Sequence, residues 1–258
     1  MNTLRSILGE RAAANGPSAT AARVRLPDAV LRPVREGNAF EACVEHLATA
    51  IRLGVFAEGE RLPPERELAE RLGVGRATLR DAIGALRQAG LVRTLRGRAG
   101  GTVVLYRGGS DADETTVSRT PSQIEDALAF RRVVEPGAAW LAASGDLSAD
   151  QRAWLAEALH ATTACEDDGA RRVADSRLHL AVATLSGSAM LVEAVTAARS
   201  QVAELLSAIP VLTPNIAHSD DQHAEIVEAV LVGDAARARE VMEEHCDATS
   251  ALLRALLC

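Results

Sequence analysis

Asp175 and His179 stand four residues apart, so on a helix both side chains leave the same face. His223 lies ten residues before Gly233 and His245 twelve after it. Two helices folding back antiparallel at Gly233-Asp234 would bring those imidazoles to similar height, about 15–18 Å from the turn. Three neutral imidazoles and one carboxylate form a donor set for a divalent transition metal, zinc first, with nickel or manganese as alternatives. One or two further coordination positions would accept water or a ligand carboxylate. A lone histidine is more often an ordinary surface or core residue, but four groups at this spacing reverse that weighting. His46, His160 and His218 keep the ordinary reading; His218 is five residues, more than one turn, from His223.

A second constellation is cationic. Gly75-Arg76-Ala77-Thr78-Leu79-Arg80 opens a stretch in which Arg76 and Arg80 share one helical face while Leu79, Ile83 and Leu86 share another. Guanidinium forks suit phosphate and guanine edges, Thr78 can bond a phosphate or touch a thymine methyl, and Gly75 lets a nucleic-acid backbone approach. A helix N-terminus itself favours phosphate. Taken singly, each arginine is more simply a solvated surface charge. Order in the chain strengthens the DNA reading, because the elements around these residues fall in a specific succession.

Those elements begin with a helix over 39–53, capped by Asn38 and carrying Phe40, Val44, Leu47 and Ile51 on one stripe. A turn at 57–63 leads to a short helix over 64–72, a break at Gly73-Val74, and a longer helix over 75–89 stopped by Gly90. Two β-prone runs, 91–95 and 102–105, flank the basic, glycine-rich tip Arg96-Gly97-Arg98-Ala99-Gly100-Gly101. Short helix, turn, longer helix and hairpin make a winged helix-turn-helix, whose second helix enters the major groove. Residues 1–37 lack periodicity and read as a flexible arm; the winged domain occupies 38–105 and a polar linker 106–121. Residues 122–258 read as an all-α bundle with helices over 122–144, 148–168, 170–186, 189–208, 219–232 and 234–256. The fold class is mainly α.

Composition agrees. The chain is 48% hydrophobic and 24% charged, which excludes general disorder, and only 2% aromatic, so its cores rest on Ala, Leu and Val and favour close-packed helices. Trp140 and Trp154 are expected in that core. Residues 1–107 hold 17 arginines against 11 acids, residues 108–258 hold 11 against 24, and lysine is absent. A basic front half on an acidic back half fits a nucleic-acid reader joined to a separate module. Cys43, Cys165, Cys246 and Cys258 form no CxxC, against a disulfide framework or zinc ribbon and in keeping with a reducing cytoplasm. No apolar run approaches the roughly 20 residues of a membrane span, and the N-terminus lacks a secretory stretch. A cytoplasmic protein without membrane partners is expected.

The run Leu62-Pro63-Pro64-Glu65-Arg66-Glu67-Leu68-Ala69-Glu70-Arg71-Leu72-Gly73-Val74-Gly75-Arg76-Ala77-Thr78-Leu79-Arg80-Asp81-Ala82 closely resembles the signature of the GntR superfamily of bacterial transcription regulators, and residues 96–104 resemble its wing. Residues 122–250 resemble the FCD ligand-binding domain of the FadR subfamily. That likeness is carried by Arg131-Arg132-Val133-Val134-Glu135-Pro136, Asp175-Ser176-Arg177-Leu178-His179, His223-Ala224-Glu225-Ile226 and Met242-Glu243-Glu244-His245. The resemblance implies that Arg66, Arg76, Thr78 and Arg80 contact operator DNA, with Arg96 and Gly97 at the wing tip. It also implies a homodimer on an inverted repeat of double-stranded operator, a repressor's role, and no enzymatic activity. Arg131 would clamp the carboxylate of a small organic-acid effector; an ion pair with Glu135 at i+4 is the equally weighted alternative. Gly75, Ala77 and Ser188 depart from the family's usual residues, leaving operator and effector open. Two other classes compete. One is a metal-dependent hydrolase on a DNA anchor, for which Glu225 is the only nearby acid–base candidate; the other is an architectural DNA-binding protein with a structural metal.

Overall fold

The computed structural model describes residues 25–31, 33, 39–95, 100–108, 119–165, 167–209 and 212–257. Asn38, Arg96, Gly97 and most of the 106–121 linker lie outside them. The winged half comprises α1 (Leu26–Val30), α2 (Ala39–Arg52), α3 (Glu65–Leu72), α4 (Arg76–Gln88), β1 (Val92–Leu95) and β2 (Gly101–Val104). The helical half comprises α5 (Pro121–Ser144), α6 (Ala149–Thr163), α7 (Asp168–Leu185), α8 (Ala189–Ser207), α9 (Thr213–Val232) and α10 (Ala235–Leu257). This is the mainly α architecture that the sequence implies.

In the winged half, α4 buries Leu79, Ala82, Ile83 and Leu86 and leaves Arg76 and Arg80 exposed. α2 buries Cys43, Leu47, Ala50 and Ile51, whereas Phe40, expected on that stripe, is exposed in the first turn. β1 and β2 pair antiparallel with Val92 opposite Val104 and Thr94 opposite Thr102. The expected turn at 57–63 adds a third edge: Leu62 N–H donates to the Thr102 carbonyl and Val104 N–H to that of Glu60. Residues 25–31, read from sequence as part of a featureless arm, include a single buried helical turn. Leu26, Val30 and Leu31 are buried there, and Arg71 of α3 ion-pairs with Asp28. Five residues are too few to display a helical period, which is why the segment looks patternless.

In the helical half, α5 is surrounded by α7, α8, α9 and α10. Around Trp140 its inward positions are small: Ala138, Ala139, Ala142 and Ala143 are all buried. Close approach of several helices leaves no room for an indole there, so Trp140, expected in the core, projects outward and is 45% exposed. Phe130 and Val133 are exposed on the same helix. Trp154 is half-buried and packs against the cores of both halves. α6 stops at Thr163 rather than 168, because Asp167 caps the next helix by accepting the Ala170 N–H at 2.8 Å. α9 starts at Thr213 rather than 219, since Pro214 falls in its first turn, where a missing N–H costs nothing.

One apolar cluster runs from Leu47 and Leu68 through Leu26, Val30 and Leu31 to Leu180, Ala183, Val192 and Val195 of α7 and α8. The contact with α7 is backbone-close. A Cβ added at Gly54 would stand 2.3 Å from Val173 Cγ1, and one at Gly108 would stand 2.1 Å from the Gly169 carbonyl oxygen. Gly108 also has φ +80°, a region that side chains with a Cβ rarely adopt. Gly108→Ala should therefore lower the unfolding free energy by about 1–3 kcal/mol in urea titrations. Gly84→Ala in α4, where the added methyl meets nothing within 4 Å, should raise it by about 0.5–1 kcal/mol.

Candidate functional site

The cationic face is built by α3 and α4. Arg76 and Arg80 lie one turn apart at the exposed start of α4, with Gly75 as its N-cap residue and Thr78 half-buried between them. Arg80 Nε donates to Glu65 Oε2 at 2.7 Å and Arg66 Nη1 to Glu70 Oε1 at 3.2 Å. Arg76 has no ion pair among the described residues. Arg66, Gly75, Arg76, Thr78 and Arg80 thus sit on neighbouring parts of one helical pair, while Arg96 and Gly97 fall outside the described residues.

Deep in the helical half, Asp175 and His179 of α7, His223 of α9 and His245 of α10 converge. One donor atom from each lies within 4.8 Å of all the others. Ring centroids are separated by 5.4 Å (His179–His223), 5.1 Å (His179–His245) and 4.7 Å (His223–His245), and all three rings are buried. The α9–α10 return at Gly233, with its left-handed φ of +82°, sets the two imidazoles opposite each other. Both nitrogens of His223 are buried without a hydrogen-bond partner among the described residues, although Nε2 lies 3.2 Å from Asp175 Oδ1. Buried unpartnered imidazoles beside a carboxylate fit a metal ion: the donors are right in kind and number, and a bound cation would satisfy them. His218 and His160 are exposed and stand outside this group. Glu225 is exposed and ion-paired to Arg237 at 2.6 Å, so it supplies no acid or base here.

Two side chains that the sequence does not point to as part of the metal site hold this quartet. Glu135 of α5 is buried, with Oε2 2.8 Å from His179 Nδ1 and 3.1 Å from Arg131 Nε. Arg199 of α8 is buried and ion-pairs with Asp175 Oδ2. Arg131 therefore makes the ion pair with Glu135 that was the alternative to a carboxylate clamp, but only through its Nε edge. Its Nη1 and Nη2 remain buried without partners among the described residues, as does Arg199 Nε. Both roles are open to Arg131 at once.

Charges balance locally. Burial works against ionising Asp175 and Glu135, but Arg199 beside the first and Arg131 beside the second hold both carboxyls well below their usual range. Burial pushes His179 down to about 4 against the pull of Glu135, and lowers His245 with help from His223 and Arg131. Burial thus favours the neutral form of His179 and His245, the form that ligates metals.

A cavity of about 110 Å³ opens on this cluster. Its lining joins Arg131, Asp175, Arg199, His223 and His245 with further charged groups, Asp168, Arg171, Arg172 and Asp220, and with aliphatic side chains such as Leu206 and Leu252.

The histidine shift has a pH signature. An unfolded-state imidazole protonates near 6.5, the folded His179 only near about 4, so the unfolded chain binds the extra proton between these values. Chelator-treated protein should keep its full unfolding free energy above pH 7 and lose it progressively from pH 6.5 towards 4. His179→Gln should flatten that slope in urea titrations across the same range.

Comparison with known proteins gives this geometry its setting. The family model described as bacterial regulatory proteins of the gntR family matches residues 40–104, and the FCD domain model matches residues 126–248. RmpR of Mycobacterium gastri, named as an HTH-type transcriptional regulator, is 33% identical over 221 residues, covering 84% of this chain and 80% of its own. The HTH-type transcriptional repressor NanR of Salmonella newport is 29% identical over 238 residues, covering 87% and 89%. The solved structure of E. coli McbR/YncC superposes with a TM-score of 0.53 at 17% identity, over 85% of this chain and 98% of that one, a likeness of fold. No helix among the described residues is long and apolar enough to cross a membrane. With both family models matched in order and a regulator 33% identical along most of its length, the chain belongs to the GntR family of bacterial regulatory proteins, with an FCD domain as its helical half.

Proposed function

We propose that this regulator is a homodimeric repressor whose grip on an inverted-repeat operator is set by a small organic acid bound beside a divalent metal. The observation that carries the reading is a cavity lined by Asp175, His223 and His245 of an Asp-His-His-His quartet together with Arg131, whose Nη edge has no partner among the described residues. Asp175, His179, His223 and His245 would hold the ion, zinc first, and the ion would supply positive charge and an open position for a carboxylate oxygen. Arg131 would grip the same carboxylate with its two Nη groups, pre-aimed because Glu135 fixes its Nε. Arg66, Arg76, Thr78 and Arg80 would meet the DNA, with Gly75 allowing close approach and Arg96 and Gly97 reaching out from the wing.

α7 offers the coupling. Asp168, Asp175 and His179 lie on one side of it, towards the cavity and the quartet, whereas Gly169, Val173 and Arg177 seat Gly54 of the winged half and Gly108 of the linker on the other. A ligand that favours one position of α7 must favour one placement of the DNA-reading domain, and it shifts affinity only by its preference between the two. The exposed Phe130, Val133 and Trp140 of α5, spaced three and seven residues apart, suit the seam with a second copy.

Two outcomes are expected. Arg76→Ala should weaken operator binding by about 1–3 kcal/mol in gel-shift titrations and relax base preference, whereas unchanged binding would remove α4 from the groove. Replacing His223 and His245 together by Ala should abolish bound metal in elemental analysis of the purified protein. Full metal content in that variant would refute the quartet.

A further inference from the structure

A second, larger opening lies where the two halves meet. It is a cleft of about 800 Å³, against about 110 Å³ beside the quartet, and no residue lines both. One wall comes from α1, the 57–63 turn and the chain just after β2, through Leu26, Ala57, Glu58, Tyr106 and Arg107. The other comes from α6 and α7, mostly through alanines (Ala158, Ala161, Ala170, Ala174 and Ala181), whose side chains end at Cβ and leave the space open. The chain has one tyrosine and two tryptophans, and this cleft takes the tyrosine and one tryptophan, Tyr106 and Trp154, both half-buried. Of the five charged groups in its lining, four are committed or exposed. Glu58 pairs with Arg107 at 2.6 Å, Asp167 accepts the Ala170 N–H at the start of α7, and Glu157 is exposed on α6. Arg177 is different: it is half-buried and makes no hydrogen bond or ion pair among the described residues. Its stem lies against the winged half, since a Cβ added at Gly54 would stand 3.0 Å from Arg177 Cγ. Burial disfavours the charge, and the counter-charge acting on it is Glu60, one oxygen of which already accepts the Ala57 N–H.

We infer that this cleft is a second ligand site, taking a planar aromatic anion whose charge meets Arg177 and whose ring lies with Trp154 and Tyr106. Apolar and aromatic walls with a single uncommitted polar group are the lining that buries a drug-sized ligand and fixes its orientation. A half-buried guanidinium without a fixed partner gains two directed hydrogen bonds from a carboxylate. The ring gives up water for indole, phenol and methyl surface. Because one wall belongs to each half, such a ligand touches both, and its preference between two placements of the winged half shifts their populations without any contact to the quartet. The site is thus independent of the effector reading above.

Isothermal titration of the full-length protein with 2-naphthoate and its uncharged amide, 2-naphthamide, tests this, together with the two indole N–H resonances in NMR spectra, assigned through Trp140→Phe. Naphthoate should bind more tightly than the amide and move the Trp154 resonance while leaving that of Trp140 in place. Arg177→Gln keeps the carbons that touch Gly54, and it should weaken naphthoate about tenfold or more and naphthamide by less than about twofold. Ala161→Leu, at a half-buried position on α6, fills the cleft without altering a charge and should weaken both ligands, an independent reading should the first variant fold poorly. No binding of naphthoate, equal affinity for acid and amide, or an unmoved Trp154 resonance would overturn the inference. So would naphthoate affinity untouched by Arg177→Gln or by Ala161→Leu, and each of these results would leave the metal quartet and its effector standing.

Discussion

Two buried carboxylates held ionised by two buried guanidiniums are what the helical half depends on. Arg131 faces Glu135, Arg199 faces Asp175, and Arg199 Nη1 comes within 4.0 Å of Glu135 as well, so the four charges form one alternating array. Removing any one would leave its partner buried and uncompensated, a loss of about 3–5 kcal/mol. The array spans α5, α7 and α8, three helices whose other contacts are largely alanine and valine and specify position only weakly. Directional charge–charge contacts supply the register that small apolar side chains cannot. The array holds Asp175 ionised while burial keeps His179 neutral, so both are in the form that receives a cation.

Such an arrangement would let Arg131 serve structure and the proposed ligand together. A guanidinium has two edges, and a buried one satisfied on both would be inert. Here Nε is committed to Glu135, while Nη1 and Nη2 are buried without partners among the described residues and the side chain lines the cavity. Leaving donors unsatisfied costs stability in the empty protein, and an arriving carboxylate recovers that cost. In the proposed reading, ligand and fold stability would be linked through one side chain, with its positioning partner Glu135 one turn along the same helix. Cys246, the neighbour of His245, has its thiol pushed up to about 12 by burial and lies 3.8 Å from Glu135, so it is protonated and lends a weak donor to the array instead of competing for metal.

Much of this is legible in the sequence, for reasons of local geometry. Asp175 and His179 are fixed by helical periodicity alone, and His223 and His245 by the placement of one glycine turn between them. α4 is legible because its apolar and cationic positions separate cleanly by face. Glu135 and Arg199 are not legible as site residues, because nothing local distinguishes a buried charge from a solvated one; only packing against α7 does so. Arg131 shows the intermediate case, where sequence supplies both candidate partners and tertiary structure assigns an edge to each. Trp140 misleads because burial in an alanine-lined helix junction selects for size and not for hydrophobicity. The N-terminal start of α9 is hidden by Pro214, which reads as a breaker but is at home in a first turn.

On the DNA-reading side, the free protein already pairs several of the arginines implicated in contact. Arg80 is held by Glu65 and Arg66 by Glu70, both exposed pairs of a kind worth about 0–1 kcal/mol. These pairs give up little when phosphate oxygens replace the carboxylates, yet they hold two flexible side chains in extended, outward poses. They also place carboxylates beside the reading face, where any backbone that fails to displace them meets like charge. A helix pair so equipped discriminates against loosely seated duplex more than a bare basic patch would, because partial docking brings phosphate towards Glu65 and Glu70 without releasing Arg66 and Arg80 from them. Arg76 lacks an ion pair among the described residues and sits at the very start of α4, where the helix N-terminus adds its own attraction for phosphate. In the proposed reading, first contact would fall at Arg76, followed by exchange of carboxylate for phosphate at Arg80 and Arg66.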